Sequence, residues 1–157
     1  MNIRLIAIGK TDNKALQSLI DDYTKRLSFY IKFDLEVIPD IKNAKNLSEP
    51  QQKEKEGELI LSKIGATDQL ILLDENGKNF SSVGFSGELQ KKMNSGAKTL
   101  VFVIGGPYGF SDAMYAKAQG KISLSAMTFS HQMVRLFFIE QVYRAFTILR
   151  GEPYHHQ

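Results

Sequence analysis

A chain of 157 residues, 43% hydrophobic and 24% charged, has the length and balance of one globular domain over 1–157. Such a chain buries about two-thirds of the surface it exposes when unfolded. It contains no cysteine, which excludes disulfides and thiolate-held metal and accords with a cytoplasmic protein. Its net charge of +3 permits an anionic partner without demanding nucleic acid. Its apolar runs are far shorter than the roughly 20 residues that cross a bilayer, so no membrane role is expected. The amino-terminal stretch Met1–Gly9 lacks the long apolar core and cleavage site of a secretory leader.

Ile3–Ile8 is a short apolar run ending at Gly9 and predicts a central strand. Asp12 or Asn13 then caps a helix whose apolar residues, from Leu16 through Ile20 and Tyr23 to Tyr30, recur every three or four positions. From Lys32 to Pro39 the period changes to two, with Phe33, Leu35 and Val37 alternating with charges, as in a half-exposed strand nearer a sheet edge. Ser48-Glu-Pro-Gln51 has the form of a capping box with proline in the first turn. The helix it opens is polar from Gln51 to Glu58, so that half is expected to be solvated.

Gln69–Leu73 predicts a second buried strand, halted by Asp74-Glu-Asn-Gly-Lys78, where Asn76-Gly77 is a turn signal; that stretch reads as a connection or as another loop at the carboxyl end of a parallel strand. Ser82–Asn94 carries Phe85, Leu89 and Met93 on one stripe, and Gly96 suits the end of that helix. Leu100-Val-Phe-Val-Ile104 has the character of a strand buried on both faces, and it stops at Gly105, Gly106, Pro107 and Gly109. Ser111 and Asp112 can start a short helix there. A buried strand feeding a glycine turn and a helix fits a tight connection and a ligand wall equally well. Gly120–Leu124 is a short strand, and Ser125–Phe129 leads to a last helix with Ser130 as its cap. That helix, from about His131 to Arg150, is apolar around most of its circumference, so it is either central to the fold or the core of a homodimer interface.

Several common chemistries are absent. There is no Gly-x-x-x-x-Gly-Lys-Ser/Thr phosphate loop, and Gly105-Gly-x-x-Gly109 is one residue short of a dinucleotide fingerprint. The adjacent His155 and His156 lack the spacing of two metal ligands on one helix face, so no metal is expected. No Gly-x-Ser-x-Gly elbow occurs. The residues alone therefore reach an α/β protein with a glycine-lined pocket and a carboxyl-terminal set of Arg, Tyr and His, but no reaction.

Four separated motifs go further: Ile104-Gly-Gly-Pro-Tyr-Gly109, Ser123-Leu-Ser-Ala-Met-Thr-Phe-Ser-His131, Val142-Tyr-Arg-Ala145 and Pro153-Tyr-His155. In order, spacing and total length the chain resembles the large-subunit ribosomal RNA methyltransferase H family of the SPOUT superfamily. The resemblance implies a homodimeric α/β fold with a parallel sheet and a carboxyl-terminal trefoil knot, which chain-threading rules alone do not suggest. It implies S-adenosylmethionine as cofactor and methylation of N3 of a pseudouridine in helix 69 of 23S rRNA, on the assembled ribosome. Carried over by motif, Leu73, Gly105, Leu124, Ser125, Ala126, Met127, Thr128 and Phe129 hold the cofactor.

For the chemistry, an imide anion developing at N3 needs a base and nearby positive charge. Arg144 is expected to bind phosphate or stabilise that anion, with Tyr154 and His155 orienting the base or accepting the proton. His131 and Arg135 are second choices, with helix capping and ion pairing as their structural readings, and the role of His156 stays open. A chain this small, without a basic stripe, is expected to prefer an assembled ribosomal surface to bare RNA. A SPOUT enzyme acting on another RNA such as tRNA, or a ribosome-binding factor without activity, remain as alternatives.

Overall fold

The computed structural model describes residues 1–156; the last residue of the tail, Gln157, lies outside them. Five strands, β1 (Asn2–Ile8), β2 (Lys32–Ile38), β3 (Gln69–Asn79), β4 (Thr99–Ile104) and β5 (Gly120–Ser123), form one sheet in the order β2-β1-β4-β3-β5. All four pairings are parallel, as the resemblance implies. The half-exposed β2 is an edge strand, and the doubly apolar β1 and β4 lie inside.

Strand alternation divides the core in two. Ile3, Leu5 and Ala7 of β1 and Leu100, Phe102 and Ile104 of β4 face one layer, which Leu16, Ile20, Phe85, Leu89, Phe138 and Val142 complete. These come from helices α1 (Lys14–Leu27), α3 (Ser82–Asn94) and α5 (His131–Leu149). Ile6, Ile8, Val101 and Val103 face the other layer, against Ile60 of α2 (Glu49–Leu61) and Met114 of α4 (Asp112–Lys117). The mostly apolar α5 is central to the first layer, where Phe102 and Phe138 pack with ring centroids 4.7 Å apart.

The helix starts follow their caps. Asn13, Ser48, Ser81, Ser111 and Ser130 each accept a hydrogen bond from the backbone N–H three residues on, and Ser48 with Gln51 makes the full capping box. Gly96, at φ 78°, follows the end of α3. Helix α1 stops at Leu27 rather than reaching Tyr30, with the Ser28 N–H closing its last turn on the Thr24 and Arg26 carbonyls, and Leu19 is 48% exposed.

Two expectations fail. Asn76-Gly77 does not end β3. The strand pairs with β5 through Leu73↔Ile122, skips residues 74–77, and resumes with Lys78↔Ile122 and Asn79↔Ser123. A Cβ at Gly77 would stand 2.6 Å from the Ile122 backbone, so this glycine serves close strand approach rather than chain reversal. The polar half of α2 is not wholly solvated either: Glu56 is 4% exposed and Gly57 is buried, because the glycine turn after β4 packs against them.

Candidate active site

The carboxyl ends of β3, β4 and β5 converge on a cleft of about 770 Å³. Ligands of parallel α/β sheets characteristically bind at such strand ends, where successive loops splay apart. Leu73 and Asp74 form its β3 side, Ile104–Phe110 its β4 side and Ile122–Phe129 its β5 side, with His131 and Val134 of α5 at the rim. All eight residues expected to hold a cofactor thus line one cavity.

Its walls owe their shape to small residues. Gly109, at φ 82°, adopts the left-handed conformation and donates its N–H to the Gly106 carbonyl at 3.2 Å, closing the turn. Gly105 lies under Phe110, whose ring would meet an added Cβ at 3.2 Å. On the β5 side, Ser123 Oγ donates to the Ser125 carbonyl at 2.9 Å, and Ser125 Oγ accepts the Met127 N–H at 3.0 Å. These local bonds hold 123–127 as a tight irregular segment with backbone groups free to meet a ligand.

Acidic charge gathers at the β3 edge, where the segment skipped by β5 carries Asp74, Glu75 and Asn76 to the cavity. Tyr115 donates its hydroxyl to Asp74 Oδ2 at 2.5 Å, and burial with that bond pushes the phenol up to about 12. Of the two readings the sequence left for 74–78, a connection or another loop at the carboxyl end of a parallel strand, the second holds, although these carboxylates were not named as site groups.

The carboxyl-terminal set forms a second centre. Arg144 donates to Glu140 Oε1 at 2.6 Å, and Tyr154 donates to the same oxygen at 2.9 Å. The guanidinium carbon lies 4.7 Å from the centre of the Tyr154 ring, and Arg144 Nη1 is 3.2 Å from His155 Nδ1. Tyr23 joins through a 3.2 Å contact between the two hydroxyls. Burial and the bonds to Tyr23 and Glu140 push the Tyr154 phenol well above its ordinary value, so it is a donor at neutral pH. Since Arg144 donates to Nδ1, a neutral His155 carries its proton on Nε2, which is buried and meets no partner among the described residues. Glu140, one turn before Arg144 on α5, is the hub that sequence reasoning left unassigned; the i, i+4 spacing of carboxylate and guanidinium was its one signal.

Within the chain the two centres do not share a cavity. None of Arg144, Tyr154 and His155 lines the cleft. Glu140 and Gln141 instead line a smaller cavity of about 350 Å³ that shares Ile122–Ser125 and Phe129 with the cleft. His131 is the first residue of α5, next to the capping Ser130. Arg135 is fully buried without an ion pair among the described residues: its guanidinium donates to the Ile8 carbonyl at 2.9 Å and Thr11 Oγ1 at 3.1 Å, tying α5 to the end of β1. Desolvation is the largest influence on it and pulls its pKa down. His156 is exposed.

The family model described as "Predicted SPOUT methyltransferase" matches residues 1–155. The chain belongs to the SPOUT methyltransferase family. It is 87% identical to the ribosomal RNA large subunit methyltransferase H of Flavobacterium johnsoniae and 85% identical to that of Flavobacterium psychrophilum, each over 100% of both chains. The protein so named from Porphyromonas gingivalis is 54% identical over the same full length. As a SPOUT methyltransferase the chain is an enzyme, and its strand-end cleft is of a size to take a small organic cofactor. No helix among the described residues is long and apolar enough to cross a membrane, and no group of three or more His, Asp or Glu among them is placed to hold a metal.

Proposed function

We propose that this protein transfers a methyl group from S-adenosylmethionine to N3 of a pseudouridine in helix 69 of 23S rRNA, acting on the assembled ribosome in the cytoplasm. The cleft at the ends of β3, β4 and β5 is the observation that carries this reading, in a chain alike from end to end with relatives named for ribosomal RNA methylation. The cleft suits the cofactor chemically. S-adenosylmethionine supplies a methyl on a positively charged sulfur, and the Asp74–Glu75 rim offers negative charge beside an apolar wall of Leu73, Ile104 and Leu124.

Transfer breaks the sulfur–methyl bond, forms the N3–carbon bond and requires N3 to give up its proton. The protein's part is to align the reactants and to meet the negative charge that develops on the base. Arg144 is the group for that charge: Glu140 and the Tyr154 ring hold its guanidinium in place before any substrate arrives. Tyr154, whose one hydroxyl proton goes to Glu140, orients the base through its ring and its hold on Arg144, and His155 orients the base or accepts the N3 proton, at Nδ1 once Arg144 turns to the substrate.

A homodimer belongs to the same reading. The cleft and the Arg144 centre occupy separate cavities of one protomer, and a second copy gives each cleft a second chance to meet that centre. Apolar surface beside the cleft supports it: Met127 is 76% exposed, and Phe129 and Met133 are more than a third exposed. The knot characteristic of SPOUT proteins, within one domain spanning the chain, completes the proposal.

The test is transfer of a tritiated methyl group onto purified ribosomes lacking the modification, followed by mapping of the labelled nucleotide. Label at N3 of the helix 69 pseudouridine is expected; label elsewhere, or equal labelling of naked helix 69 RNA, overturns the assignment. Sedimentation of the free protein at twice the mass of one chain is the expected result for the dimer.

A further inference from the structure

The wall of the cleft has a buried support that the chemistry above does not use. Glu56 of α2 is 4% exposed in an otherwise polar stretch, and its Oε1 has no hydrogen-bond partner among the described residues. A buried carboxyl oxygen without a partner is costly, so its position calls for a reason. The carboxyl lies directly against the Cα of Gly106: a Cβ built there would stand 2.3 Å from Oε2 and 2.7 Å from Oε1. The next residue makes a matching contact. A Cβ at Gly57 would stand 2.5 Å from Ser111 Oγ, the group that caps α4. Consecutive residues of α2 thus brace both ends of the loop from Gly106 to Ser111, which closes on itself through the Gly109 N–H.

We propose that Glu56 is a positioning residue of this enzyme, whose carboxyl props Gly106 from behind and so sets the Gly105–Gly109 turn for the cofactor. The inference rests on the reading of the cleft as the S-adenosylmethionine site. Glu56 does not line that cleft, whereas Gly105, Gly106 and Gly109 do, so it acts through the turn and not by touching the cofactor. Burial, reinforced by the negative charge of Asp40 and opposed by a hydrogen bond from Gln52, pushes the Glu56 carboxyl up toward its neutral form. A neutral carboxyl and a carboxamide have the same shape, which yields a discriminating set of variants.

The full-length protein is compared as wild type, Glu56→Gln, Glu56→Asp and Glu56→Ala by calorimetry with S-adenosylmethionine, by steady-state methylation of ribosomes, and by hydrogen exchange of the 105–111 amides without cofactor. Glu56→Gln is expected to bind cofactor within about twofold of wild type. Glu56→Asp and Glu56→Ala, which withdraw the prop, are expected to raise Kd and KM for the cofactor about tenfold, with kcat changed less and faster exchange at 105–111. Glu56→Asp keeps the acid while shortening the reach, so it decides the matter even where Glu56→Ala does not fold. Wild-type exchange and affinity in Glu56→Asp overturn the proposal, as does loss in Glu56→Gln equal to that in Glu56→Asp. If the wild type itself binds no S-adenosylmethionine, the cofactor reading falls, and hydrogen exchange at the turn still decides whether Glu56 positions it.

Discussion

The cleft and the Arg144 centre are built in opposite ways. The cleft is walled largely by backbone: a glycine turn after β4, an irregular segment after β5 and a skipped stretch of β3, with Asp74 and Glu75 at the β3 edge and Lys53 and Asp112 as its other charged lining residues. The Arg144 centre is made of long polar side chains bonded to one another, with Glu140 accepting from both Arg144 and Tyr154 and His155 Nε2 left without a partner among the described residues. A backbone wall leaves donors and acceptors unspent for a ligand, whereas a closed side-chain network spends its bonds on fixing one cation in position. The first suits holding a small molecule, and the second suits meeting a charge that appears only during reaction.

Variants of the two regions separate these roles. Arg144→Ala is expected to have the largest effect: kcat for ribosome methylation falls by about a hundredfold or more, while cofactor affinity by calorimetry stays near wild type. Equal loss of cofactor binding would show that the two centres act as one. In the cleft, Gly77→Ala forces a Cβ to within 2.6 Å of the Ile122 backbone. It is expected to cost about 1–3 kcal/mol in chemical denaturation and to weaken cofactor binding, because the β3–β5 seam carries two walls of the cavity.

Smaller effects sharpen the contrast through pH. The folded state raises the Glu56 carboxyl pKa, so it holds a proton to higher pH than the unfolded chain. That group's contribution therefore falls as pH rises from the ordinary carboxylate value of 4.5 through the raised one. Glu56→Gln is expected to have a higher Tm than wild type at pH 7, with the gap closing as the pH drops below 4.5. Near the Arg144 centre the sign is the same but the range is alkaline. The bond from Tyr30 to Glu152 at 2.5 Å, with burial second, raises that phenol from 10.0 to about 12. Its contribution is complete below pH 10 and is lost as pH rises to about 12; Tyr30→Phe is expected to remove that segment of the stability curve.

Much of this architecture was legible in local pattern. The apolar runs of β1 and β4, four of the five side-chain caps (Ser81 is the exception) and the helical face of α5 follow from composition and period, because each depends on neighbours within a few residues. The glycine turn was legible as a break but not as a wall, since its two readings share the same local geometry. Asn76-Gly77 misled because turn propensity is local, while the pairing of Lys78 and Asn79 with β5 is made by residues more than 40 positions away. Glu56 misled for a related reason: its neighbours in sequence are polar, and its burial comes from the turn after β4.

By itself, then, the sequence determined where most strands and helices begin, that β2 lies nearer an edge, and, through four motifs, a family that implies the parallel sheet. Those properties live in short windows or in residue identity. The tertiary structure alone decided that Leu73, the glycine turn and the 124–129 segment line one cavity, and that Glu140 gathers Arg144 and Tyr154. It also decided that these two centres stay apart within the chain. Such relations join residues far apart in the chain, and only the packing of β3, β4, β5 and α5 sets the distances between them.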